Sequence, residues 1–219
     1  MGLNDALPAG ATPLDGEELE GLLPTHLVDR SQLNEWEQRN IESALLWLSR
    51  QRRPSPLQEA WLRRLHREMF GESWRWAGQY RTSDKSIGAD WRQIRMQVPA
   101  LLADIAYQVE HRVASVDEIA VRFHHRLVSI HPFPNGNGRH ARLIADVLIE
   151  QLGAPRFSWG GSSTLVEASA LRRQYITALQ QADRGQLDDL LTFARDTPRR
   201  SKTQEACLRR ALQAEAYGG

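Results

Sequence analysis

The chain has 219 residues, 41% hydrophobic and 25% charged, with a formal net charge of +1. That allows one ordinary globular domain with a real core and gives no global electrostatic case for binding nucleic acid or an anionic membrane. No apolar run approaches the ~20 residues of a membrane span. The first residues have neither a basic start nor an apolar core, so no secretory leader is expected. Cys207 is the single cysteine, which rules out an internal disulfide and fits a cytoplasmic setting.

Residues 1–24 read as an arm, interrupted by Pro8, Pro13 and Pro24, with one short helix in DGEELEGLL. A long helix is expected near 31–50, with Ile41, Leu45 and Leu48 as its apolar stripe and Trp36 and Trp47 beside it. RRPSP ends it. The next helix starts at Ser55 as N-cap with Pro56 in first place, and Gly71 closes it. WRWAGQYRTSDKSIGADW predicts a short hairpin over 80–88, turning at Asp84-Lys85. A helix over 95–112 follows. SVDE (115–118) is a capping box that opens another helix, whose apolar face is Ile119, Phe123, Leu127 and Ile130. RHARLIADVLIEQLG predicts a further helix facing inward through Leu143, Ile144, Val147 and Leu148 and capped by Gly153. Helices near 166–183, 186–195 and 201–215 complete an all-α domain with one short β-hairpin.

Between two of these helices lies IHPFPNGNGRHAR, residues 130–142. Gly136 and Gly138 let the backbone approach a ligand closely. The helix that follows presents unpaired N–H groups and the positive end of its dipole, which together form an anion site. Arg139 and Arg142, three residues apart, project from one face beside those amides, and guanidinium forks suit phosphate oxygens. These features predict a polyphosphate site. His131, at the other lip of the loop, can accept a proton near pH 7, and Phe133 is the expected buried anchor. Asn135 and Asn137 supply amide groups, one for a metal and one for a phosphate oxygen. His124, His125, His131 and His140 lack a nearby carboxylate, and the adjacent pair faces different sides, which argues against a metal cluster.

The stretch HPFPNGNGRHAR resembles the Fic motif, His-x-Phe-x-(Asp/Glu)-Gly-Asn-Gly-Arg-x-x-Arg. The match covers His131, Phe133, Gly136, Asn137, Gly138, Arg139 and Arg142. WRWAGQYRTSDKSIG resembles the segment leading into the Fic flap. LNEWEQRNIESALLWL and RRQYITALQQADRGQLDDLLTF resemble flanking helices, and residues 24–197 are similar to the bacterial group called mobile mystery protein B. The resemblance implies an all-α Fic fold over 25–197, with the arm 1–24 as a candidate regulatory helix and 198–219 as a C-terminal helical tail. It implies transfer of AMP from ATP to a Ser, Thr or Tyr hydroxyl of a target protein, with His131 as general base. Gly136, Asn137 and Gly138 would hold the α- and β-phosphates, Arg139 the β-phosphate region and Arg142 the γ-phosphate. The target would dock at the flap, Ser83, Asp84, Lys85, Ser86 and Ile87, and an antitoxin or regulatory partner is implied.

Asn135 departs from the motif. The family's Asp or Glu there binds the Mg²⁺ that bridges the phosphates, and an amide oxygen brings no charge, so weaker metal affinity is expected. Gly138, where death-on-curing kinases carry Lys, favours nucleotide transfer over phosphate transfer. Transfer of another nucleotide or of a phosphate group, and a catalytically weak nucleotide-binding regulator, are the competing functions. Many Fic proteins pair an inhibitory Glu with the second motif arginine, here Arg142. Glu20 is followed by glycine as in that motif, Glu205 has Ser201 at the right spacing, and Ser31-to-Glu35 also has the spacing.

Overall fold

The computed structural model describes Pro13, residues 15–161 and residues 170–196. The expected helix at 201–215 and Glu205 lie outside these residues. The described chain forms α1 (Gly16–Leu19), α2 (Arg30–Ser49), α3 (Glu59–Phe70), α4 (Ile94–His111), α5 (Val116–Ile130), α6 (Asn137–Gln151), α7 (Ala170–Asp183) and α8 (Asp188–Arg195), with 3₁₀ turns at Trp91–Gln93 and Trp159–Gly161. Helices α5 and α6 pack against each other between two groups of apolar residues. On one side Phe70, Leu62, Leu101, Ile105, Phe123, Ile144 and their neighbours from α2 to α6 form the main core. On the other, Tyr175, Leu190, Phe193 and Trp159 pack against Ala120, Val121, Ala145 and Ile149. No described helix is long and apolar enough to cross a membrane.

Local chemistry explains most boundaries. Asp29 caps α2 by accepting the Gln32 N–H at 2.9 Å. Ser115 caps α5 by accepting the Glu118 N–H, but the Glu118 carboxylate turns to Arg122 at 2.5 Å. The full reciprocal capping box occurs on α1, between Asp15 and Glu18. Ser55 and Pro56 precede α3 in a turn, where the Ser55 carbonyl accepts the Gln58 N–H, so that helix starts only at Glu59. Helix α6 starts at Asn137 and is followed by Gly153 at φ +83°.

Two sequence expectations change. The buried face of α2 is Leu33, Glu37, Asn40, Ala44 and Leu48, while Leu45 stands exposed and Ile41 only partly buried. An apolar stripe could not find it, because the face carries two buried polar residues that find partners: Asn40 accepts the Glu72 N–H, and Glu37 accepts the Trp74 indole N–H at 2.6 Å. The predicted hairpin over 80–88 is an irregular loop without strand pairing. Among the described residues the sole β-bridge joins Leu22 to Trp74.

Candidate active site

The loop between α5 and α6 is built largely from its own residues. His131 ends α5 in the left-handed region, φ +55° and ψ +58°, with its N–H on the Leu127 carbonyl. A non-glycine residue there signals a constrained position. The Asn137 side chain then folds back onto Phe133. Its Oδ1 accepts the Phe133 N–H at 2.9 Å, and its Nδ2 donates to the Phe133 carbonyl at 2.7 Å. Asn137, expected to hold phosphate, therefore uses its amide to shape the loop. Gly136 takes φ +79°, and a Cβ there would come within 2.6 Å of the Phe70 ring, so both backbone and space require glycine. Gly138 is different: a Cβ would meet only the Tyr175 hydroxyl, at 3.8 Å. Packing does not demand glycine at that position, which borders open space at the start of α6.

Behind the loop stands His66 of α3, fully buried and stacked on Phe133 with ring centroids 3.7 Å apart. The Gly78 N–H donates to its Nδ1, so the proton sits on Nε2, which donates to the Asn135 carbonyl at 3.0 Å. Burial, followed by His140, holds its pKa well below the ordinary histidine value. A neutral imidazole of fixed tautomer thus carries the loop's backbone.

His131 is brought to the start of α6 as expected. Burial lowers its imidazole pKa to about 4, the Arg81 charge adds to the shift, the Val128 backbone opposes it, and Lys85 contributes a little more. The ring is neutral at pH 7 and able to take a proton. Arg139 and Arg142 project from the first turns of α6. Arg139 lies over the Phe70 ring at 4.8 Å and donates to the Glu37 carboxylate at 2.7 Å. Arg142 lies over the Tyr175 ring at 5.5 Å, and the Tyr175 hydroxyl meets His124 Nε2 at 3.1 Å. One turn further on, buried Asp146 accepts the Trp159 indole N–H at 2.9 Å, and its pKa is raised to about 7, chiefly by burial.

Asn135 stands between Gly136 and Glu37. Its Oδ1 accepts the Gly136 N–H at 2.7 Å, and its Nδ2 faces Glu37 Oε1 at 3.4 Å. Mg²⁺ prefers carboxylate oxygens together with substrate phosphates. Residue 135 offers one neutral oxygen already accepting a backbone proton, and the nearby Glu37 carboxylate is 0% exposed and shared between Arg139 and Trp74. Among the described residues no three His, Cys, Asp or Glu side chains gather as a metal site. The donor set does not fit the divalent cation expected at this position.

The flap, 79–90, is organised by Arg81, 2% exposed. Its guanidinium donates to the carbonyls of His131 (2.7 Å), Ser83 (2.7 Å), Ala89 and Ile130 (3.4 Å). The Arg81 backbone N–H also donates to the Pro132 carbonyl, and the Ala89 N–H donates to the Ile130 carbonyl. One side chain replaces the strand ladder of a hairpin. Gly88, φ +104°, lies so close to His131 that a Cβ would sit 2.6 Å from the histidine's own. Helix α1 docks on the flap: Ser83 Oγ donates to Asp15, and Lys85 reaches Asp15 (3.3 Å) and Glu18. The Glu18 backbone accepts the Trp76 indole N–H at 2.9 Å, and Trp76 stacks on Trp74, centroids 4.9 Å apart. Asp84 accepts the Trp91 N–H, while Ser86 and Ile87 are exposed.

Glu20 is exposed at the C-terminal end of α1, and Glu35 is exposed on α2. The described carboxylate that engages a motif arginine is Glu37, and its partner is Arg139 rather than Arg142. Sequence reading missed Glu37, His66 and Arg81. Glu37 lies on a buried face that mixes apolar and polar residues, Leu33, Glu37, Asn40, Ala44 and Leu48, so no apolar period in the sequence marked it.

A family profile described as Fic/DOC matches residues 56–149. A probable protein adenylyltransferase of Sinorhizobium fredii is 31% identical over 140 residues, 58% of this chain and 69% of the relative. The protein adenylyltransferase VbhT of Bartonella schoenbuchensis is 30% identical over 99 residues, 42% of this chain and 21% of that longer protein. The N-terminal Fic domain of Bep8 from Bartonella sp. 1-1C superposes with a TM-score of 0.64 at 15% identity, over 79% of this chain and 89% of that one.

Proposed function

The chain belongs to the Fic/DOC family, and we propose that it transfers AMP from ATP to a Ser, Thr or Tyr hydroxyl of a target protein. The observation that carries this reading is the meeting of neutral His131 with the N-terminus of α6 and its two arginines across one short loop. In the proposed step His131 takes the hydroxyl proton, the oxygen attacks the α-phosphorus, and pyrophosphate leaves. Gly136 and Gly138 let the α6 amides approach the α- and β-phosphates. Arg139 and Arg142 hold the β- and γ-phosphates, and their charge offsets the charge that develops on the leaving group. Asn137 keeps the loop in shape. The exposed flap residues Ser86 and Ile87, beside Asp84 and Lys85, offer a surface next to His131 on which a target segment docks.

Label from the α-position of ATP retained on protein supports this reading, and label from the γ-position alone would instead make the protein a kinase. His131→Ala should lower transfer by ~10²–10⁴-fold and leave ATP binding largely intact. Near-normal turnover in that variant would remove His131 from the role of base.

A further inference from the structure

We propose that Glu37 of α2 is a positioning residue: it holds Arg139 in the orientation that receives the nucleotide's phosphates, and it does not itself meet the ligand. The inference rests on the nucleotidyl-transfer reading and adds to it a residue from outside the loop and α6.

Glu37 is 0% exposed, and both of its carboxylate oxygens are engaged. Oε2 accepts from Arg139 Nη2 at 2.7 Å. Oε1 accepts the Trp74 indole N–H at 2.6 Å and faces Asn135 Nδ2 at 3.4 Å. The donor Trp74 is itself fixed. Asn40, one turn further along α2, accepts the Glu72 N–H at 3.0 Å and the Ser73 hydroxyl at 3.4 Å, which pins the segment 72–74 to the same helix face. The Trp74 ring also stacks on Trp76. The carboxylate therefore cannot turn toward solvent without leaving buried donors unpaired.

Arg139 is held on two sides. Glu37 takes one nitrogen at the edge of its guanidinium, and the Phe70 ring centre lies 4.8 Å from the guanidinium carbon. A guanidinium carries five N–H donors in a planar fork. An edge contact and a face contact together fix that plane and leave further donors for an anion. The Arg139 side chain keeps 17% exposure where the Glu37 side chain has none, so a ligand arriving from solvent meets the arginine and not the glutamate. A carboxylate that blocked the site would have to stand where the phosphates go, and Glu37 stands behind Arg139 instead. Holding the arginine in advance lowers the ordering cost of binding.

The test titrates the full chain with ATP, ADP and AMP by calorimetry. Glu37→Gln keeps the shape of the side chain and removes a negative charge beside the phosphate site. By Coulomb's law alone that change tightens anion binding, whereas loss of aim weakens it, so the sign of the effect separates the two. Glu37→Gln should weaken ATP and ADP binding by about tenfold and AMP, which lacks the β-phosphate, by less than about threefold. Thermal denaturation reports that the variant is folded. Unchanged or tighter ATP binding overturns the proposal. Trp74→Phe is a milder variant that keeps a stacked ring and removes the N–H that aims the carboxylate. It should weaken ATP binding by about threefold, and unchanged binding overturns the proposal even where Glu37→Gln does not fold. Arg139→Ala should itself weaken ATP binding, and adding Glu37→Gln to it should cause no further weakening. A further loss in that double variant overturns the proposal, because a glutamate that only supported the fold would weaken both backgrounds alike. A folded wild type that binds neither ATP nor ADP removes the nucleotide reading, whereas wild-type ATP binding left unchanged by Glu37→Gln removes this inference alone.

Discussion

Two non-helical segments meet at His131, and they are held in opposite ways. The loop 132–136 is fixed mainly by residues within one helical turn: Asn137 bonds both backbone groups of Phe133, Asn135 accepts the Gly136 N–H, and Gly136 supplies the left-handed turn. The flap is fixed from a distance. Arg81 gathers carbonyls on both sides of His131, and Asp15 and Glu18 hold Ser83 and Lys85 from the N-terminal arm. Local bonds shape the turn that leads into α6, whereas long-range bonds hold a cover whose position depends on the rest of the fold.

Acid should have the largest effect, because it acts on the buried histidines of the helices that carry both segments. His66, His124, His131 and His140 are buried with lowered pKa values, the last three to about 3, 4 and 4. The unfolded chain takes up these protons below pH 6.5 and the folded chain does not, so their stabilisation is intact above pH 6.5 and lost as pH falls. Each group costs about 1.4 kcal/mol per pH unit between those limits. Three or four together approach a typical total stability of about 5–15 kcal/mol within two or three units. Urea midpoints measured from pH 8 to pH 5 should fall steeply below 6.5, and a flat profile would contradict the neutral assignments.

On the flap's side, Arg81→Met should cost about 3–5 kcal/mol, because several carbonyls lose a charged donor inside the protein. Chemical denaturation checks the loss, and Arg81→Lys should recover little of it, since an ammonium lacks the planar fork. Gly136→Ala comes next, at about 2–4 kcal/mol, from a positive φ combined with a clash against Phe70. Lys85→Met should cost about 1–2 kcal/mol and should raise hydrogen exchange in the flap while leaving the loop protected. The smallest effect on stability is expected at Gly138→Ala, within about 1 kcal/mol and in the stabilising direction, because Ala suits a helix better. ATP binding should nevertheless weaken in that variant. If Gly136→Ala and Gly138→Ala prove equally destabilising, the distinction between a packing glycine and a ligand-facing glycine fails.

This contrast also explains what could be read from the sequence. The helices, the His131 lip, the glycine turn and the paired arginines were legible because each depends on residues within a few positions of one another. The hairpin was misread because the alternation of Tyr80, Arg81, Thr82 and Ser83 satisfies a strand pattern, while Arg81 uses its side chain to replace strand pairing. Glu37 was invisible because a charge within an apolar period reads as a break in it, and its partners Trp74, Asn135 and Arg139 lie far along the chain. Asn135 was legible as a departure, but its neighbour Glu37, 98 residues away along the chain, was not.

The stacked indoles of Trp74 and Trp76 have an optical consequence. Trp74 donates to Glu37, which carries Arg139 at the start of α6, and Trp76 donates to the backbone of α1 at the flap end. Two chromophores 4.9 Å apart couple their strong excited states, so the far-ultraviolet circular dichroism of this protein should carry an indole band from the junction of the arm and α6. A shift of either ring on nucleotide binding or on release of the arm should change that band without any attached label.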